Sequence, residues 1–103
     1  MESTVEGKLF HEVGSSIESA VAGKLFGKLC YKIGKKAFCC FFEKCMVFKL
    51  NGEAHQEALS LDGSELFDPS KKGRPMKEWV QVPFHYKERW QEFAKAAKNY
   101  VGN

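Results

Sequence analysis

Four cysteines crowd into sixteen residues: Cys30, Cys39, Cys40 and Cys45. Clustered thiolates can bind a soft metal or exchange electrons, so chemistry has to be sought here first. The spacing, Cys-x8-Cys-Cys-x4-Cys, contains no Cys-x2-Cys pair and no histidine at ligand distance. Neighbours on a strand point to opposite faces, which keeps Cys39 and Cys40 from sharing one ion. All four are better described as small apolar core residues, and no metal or cofactor is expected. Histidine offers no better start. His11, His55 and His85 fall on three separate helical segments, with no serine or cysteine and acid arranged beside them. Gly23 and Gly27 have the wrong spacing for a phosphate loop and open no helix. No catalytic residue is nominated, and an enzyme is not expected.

The lysines form the second chemical pattern. From Lys24 onward they alternate with apolar and aromatic residues: Lys24, Phe26, Lys28, Cys30 and Lys32 on even positions, Leu25, Leu29, Tyr31 and Ile33 on odd ones. Lysines interleaved with aromatics can hold single-stranded nucleic acid, by attraction to the backbone and stacking on bases. The residues nominated for this are Lys28, Lys32, Lys35 and Lys36, joined by Lys71, Lys72 and Arg74 of the loop "KKGRPMK". The plainer alternative is a solvated lysine face. Only two arginines occur in the chain, and arginine is the usual reader of bases.

These residues must be positioned by elements whose periods can be read. Val5, Leu9, Val13 and Ile17 recur at steps of four, a helical stripe weakened by Gly7 and Gly14, and a helix is predicted over residues 3–13. The period-two alternation makes 24–33 a strand, "Gly34-Lys35" a two-residue turn, and 37–42 the returning strand. "Glu43-Lys44" turns again and 45–50 is the third strand. A short helix follows over 53–59, then strands at 65–68 and 76–82, and a final helix marked by Tyr86, Trp90, Phe93, Ala97 and Tyr100. The order is α-β-β-β-α-β-β-α. Tight turns imply antiparallel pairing, so the expected fold is a two-layer α+β domain with a five-stranded antiparallel sheet.

One hundred and three residues make a single domain over 1–103. With 44% hydrophobic and 28% charged residues, the chain has an ordinary globular composition and no apolar run of the ~20 residues that a membrane span needs. No membrane partner is expected. The acidic start "MESTVEGKLF" is not that of a signal peptide, so a cytoplasmic location with reduced thiols is expected. The net charge of +3 is unevenly spread, acidic over 1–22 and 51–70 and basic over 23–50 and 71–103.

Simple two-residue turns assign the faces. Leu25, Leu29, Tyr31, Ile33, Phe38, Cys40, Phe42, Cys45 and Val47 then share the side assigned to the helices, and Cys30 lies opposite Cys39. The other side carries Phe26, Lys28, Cys30, Lys32, Ala37, Cys39, Phe41, Met46, Phe48 and Leu50, with no helix left to cover it. Phe41, Met46, Phe48 and Leu50 are therefore expected to stand exposed and to bind a partner, a second copy of the chain being the first choice. Another protein, or a fold-back of the 69–77 loop, could also cover them.

Three motifs carry a resemblance. They are "GKLFG" (23–27) leading through a strand to "GKKAF" (34–38), "MKEWVQVP" (76–83), and a terminal helix with Trp90 followed by Ala94 and Ala97. Together with the element order they make the chain, from about Phe10 to Val101, similar to the N-terminal domain of the TfoX/Sxy family. That domain is related in fold to YjbR-like proteins and, more loosely, to type III secretion chaperones. The resemblance implies a two-layer α/β arrangement, no enzyme, and a regulatory or protein-interaction role, with nucleic-acid binding suggested for relatives.

Overall fold

Thr4 begins the first helix. Its hydroxyl accepts from the Gly7 N–H at 2.9 Å, the N-cap geometry that satisfies one of the free amides of a first turn. The computed structural model describes residues 4–25, 28–68, 73 and 76–102, the Leu25 side chain apart. Along the chain these form α1 (Val5–Ser16), β1 (Ala20–Leu25), β2 (Lys28–Ile33), β3 (Lys36–Phe42), β4 (Cys45–Lys49), α2 (Gly52–Ser60), β5 (Glu65–Phe67), β6 (Met76–Val82), a 3-10 turn (Phe84–Tyr86) and α3 (Lys87–Gly102). The class is α+β, with an open antiparallel sheet in the order β1-β2-β3-β4-β6-β5.

The sheet has six strands, one more than expected. The first strand, expected to start at Lys24, starts at Ala20. Leu25 pairs with Lys28, so the stretch 24–33 belongs to two strands of a hairpin. Before it, α1 ends when Ile17 takes an extended conformation, and Ser19 adopts φ 70° to redirect the chain. The buried side of α1 is Gly7, Phe10, Val13 and Gly14; Val5, which opened the predicted stripe, is exposed.

The faces of β3 and β4 are exchanged relative to the expectation. Ile33 pairs with Lys36 and Lys32 with Ala37, as a two-residue turn requires, but Tyr31 then pairs with Cys39 and Cys30 with Cys40. Phe38 is the extra residue of a β-bulge. A slip of one residue sends every later side chain to the opposite face, and the error carries into β4 through the β3–β4 pairing. Tyr31, Phe38, Cys39, Phe41, Met46, Phe48 and Leu50 therefore lie under the helices, packed with Phe10, Trp90, Phe93 and Ala97. Phe48 and Phe93 have ring centroids 5.8 Å apart, Phe10 and Phe41 5.4 Å. Alternation could not choose this register, because both sides of these strands are apolar.

The other face is hidden as well. Cys30, Cys40, Phe42, Val47, Phe67 and Trp79 form a second buried cluster to which no helix contributes. Phe42 of β3 and Phe67 of β5 meet with ring centroids 5.2 Å apart. Three strand spacings separate them in the sheet, roughly 14 Å if it were flat. The sheet curls toward this face, and its concave side closes on its own side chains.

Candidate functional site

The curl decides what each chemically interesting residue touches. Cys30 and Cys40 are cross-strand partners on the concave face, while Cys39 lies under the helices; the expected pairing of Cys30 with Cys39 is corrected by the bulge. All four cysteines are free thiols. Burial pushes the Cys39 thiol well up and the Cys40 thiol up to about 12, with neighbouring cysteines adding to the effect. Burial also raises Cys30 and Cys45, the latter partly offset by a hydrogen bond from Gln81. Thiols held protonated in this way are poor nucleophiles and poor ligands. Among the described residues no group of three or more His, Cys, Asp or Glu side chains is placed to hold a metal ion.

The histidines are each tied to a different part of the fold. His11 on α1 shares a 3.0 Å hydrogen bond between its Nδ1 and the Tyr31 hydroxyl, which joins that helix to β2. His55 Nε2 lies 2.7 Å from the Lys77 carbonyl oxygen and fastens α2 to β6. The His85 ring stands edge-on to Tyr86. These are joints of the fold, distributed over three sites.

Of the residues nominated for a partner, Phe41, Met46, Phe48 and Leu50 are buried within the monomer, Met46 and Phe48 completely. They cannot form an outer contact while this fold persists; the one-residue bulge is the reason. The lysines nominated for nucleic acid are divided. Lys28 and Lys32 are half-buried on the concave side: the Lys28 ammonium sits 5.0 Å from the Phe42 ring centroid, and the Lys32 stem lies over Gly23. Lys35 is at the β2–β3 turn, and Lys36 follows it on the helical side, beside Lys49, Tyr100 and Val101 at the end of α3. Lys71, Lys72 and Arg74, like most of the 69–77 loop, lie outside the described residues. The four described lysines do not make one surface.

Both faces are occupied, which leaves the two edges of the sheet. On one side the edge is β5, three residues long, with a register shift between Leu66 and Phe67 and an exposed Glu65. Short strands, irregular pairing and charge are the usual ways of blunting an edge. On the other side β1 runs for six residues in unbroken register with β2, from Ala20↔Ile33 to Leu25↔Lys28. Among the described residues no strand pairs with its outer side. Ala20 and Ala22 pair with Ile33 and Tyr31, residues packed toward the helices, while Val21 and Gly23 pair with Lys32 and Cys30 of the concave side. Val21 is 64% exposed, and Lys24 is the one charge within the strand.

Sequence reasoning passed over Ala20–Gly23. The stretch is a short continuous run of small apolar residues, Ala-Val-Ala-Gly, without the alternation that marks the residues from Lys24 onward. A cleft of about 480 Å³ also opens at the β3–β4 turn, lined by Thr4, Lys28, Leu29, Phe41, Phe42, Glu43 and Lys44. It mixes both charge signs, and its Lys28 already stacks on Phe42.

Compared with known proteins, the chain finds no match: no family model, no curated protein and no solved structure. Among the described residues no helix is long and apolar enough to cross a membrane.

Proposed function

We propose that this chain is a small, cytoplasmic, non-enzymatic interaction module of the TfoX-like kind, which acts by accepting a strand along the open edge of β1. One observation carries the reading: β1 is a six-residue strand with an unpartnered outer side and an exposed Val21. An extended segment laid there gains main-chain hydrogen bonds for affinity and alternate side-chain contacts for specificity. Catalysis finds little support, since the histidines brace the fold and the thiols are held protonated. Nucleic-acid binding is supported less well than protein binding, because Lys28 and Lys32 face one way and Lys36 the other.

A photoreactive residue placed at Val21 tests this in the native cell, with one at exposed Leu59 of α2 as the comparison. Covalent adducts are expected from position 21 and not from position 59. Adducts that arise only from position 59 would sink the reading, whatever protein they contain.

A further inference from the structure

The partner that fits the β1 edge best is this chain itself. We infer that two copies pair β1 against β1 antiparallel, about a two-fold axis at Ala22, and join their sheets into one of twelve strands. The inference rests on the strand-addition reading above and names its partner.

An antiparallel self-pairing must place equal residues symmetrically about its axis, so its register can be tested residue by residue. With Ala22 at the axis, Ala22 faces Ala22, Ala20 faces Lys24 and Val21 faces Gly23 of the second copy. The five residues paired in this way, Ala20–Lys24, lie inside the regular strand, which begins at Ala20 after the turn at Ser19; only Leu25, the last of the strand, falls beyond them, opposite Ser19. No like charges stand opposite one another. The two alanines are small enough for close approach at the axis. On the concave side, Gly23 presents no side chain, and the Lys32 stem lies over it, 3.2 Å from where a Cβ would be. Val21 of the second copy, arriving opposite Gly23, finds that aliphatic stem to pack against. Glu18 lies just beyond Ala20 and is exposed, so the same register brings the acid of each chain toward Lys24 of the other. Moving the axis to Val21 would draw Ser19, with its φ of 70°, into the pairing.

Such a contact rests on about four to six main-chain hydrogen bonds and a few small side chains, which places it among weak interfaces. The association should appear between about 10 µM and about 1 mM, the concentrations at which a weak contact becomes populated. Sedimentation velocity across that range is expected to show a reversible dimer. Ala22→Lys, at an exposed site, sets two ammonium groups face to face and should weaken the dimer at least about tenfold while leaving the thermal unfolding of the monomer in place. A second variant guards against misfolding. Residues directly opposite have Cα atoms roughly 4.5–5.5 Å apart, within disulfide range, so Ala22→Cys should cross-link under mild oxidation and Val21→Cys should not. A monomer at every concentration, a dimer unmoved by Ala22→Lys, or cross-linking through Val21→Cys instead would overturn the inference. If photoadducts still form at position 21 while the purified chain stays monomeric, strand addition stands and self-pairing falls; if neither occurs, both fall.

Discussion

Gly14 shows how much one missing methyl group decides. It sits on the buried side of α1, and a Cβ built there would lie 2.2 Å from the Tyr31 ring. Helix propensity favours Gly14→Ala by about 1 kcal/mol, but forcing a side chain into an aromatic ring costs about 1–3 kcal/mol, and this ring is held by His11. The substitution is therefore expected to destabilise the protein, read as a lower denaturation midpoint. Cys40 makes a second prediction. Its thiol, pushed from 9.0 up to about 12 chiefly by burial, keeps its proton in the folded state after the unfolded chain has lost it. Folding stability must then fall as pH rises above about 9, by at most ~1.4 kcal/mol per pH unit for this one thiol, and level off near 12. Below pH 9 the thiol contributes no slope. Comparing Cys40→Ala with the parent isolates the effect: its stability curve between pH 9 and 11 should be the flatter of the two.

At the scale of the element, the bulge at Phe38 matters most, because it sets which side of β3 and β4 meets the helices. Phe48→Asp separates the two registers cleanly. On an exposed face it would leave stability almost unchanged; beneath α3, against Phe93, it buries a carboxylate with no partner. A loss of more than about 4 kcal/mol, or outright failure to fold, is expected, and a folded variant of parental stability would contradict the register. The stripe predicted for α1 coincides only in part with its buried side. Val13 and Ile17 are buried and Val5 is not, because the helix turns its glycines and Phe10 toward Tyr31.

For the whole molecule, the consequence of curling is a gradient of protection across the sheet. β3 and β4 lie at its centre, with side chains buried above and below, whereas β1 has a neighbour on one side only. Amide exchange of the dilute protein should be slowest in β3 and β4 and faster in the two edge strands, β1 and β5. Equal protection of β1 under those conditions would mean its edge is already covered. Among the helices, Arg89 of α3 pairs with Glu57 of α2 and, within α3, with Glu92; between the layers, the Tyr100 hydroxyl donates to Glu78 of β6 at 2.9 Å. These surface ties orient the helices and, being exposed to water and screened by salt, add little to stability.

The class of fold, the three helices, the turns at Gly34-Lys35 and Glu43-Lys44 and the strand over Met76–Val82 were legible in the residues alone, since periodicity and turn-forming residues act locally. The candidate site was not. Phe41, Met46, Phe48 and Leu50 read as an open face, and the usable edge at Ala20–Leu25 went unread. A meander that is apolar on both sides leaves its register undetermined by alternation. Only the packing of Phe10, Trp90 and Phe93 against one side, and the closing of Phe42 on Phe67 at the other, could decide which residues are hidden and leave a strand edge as the place to bind.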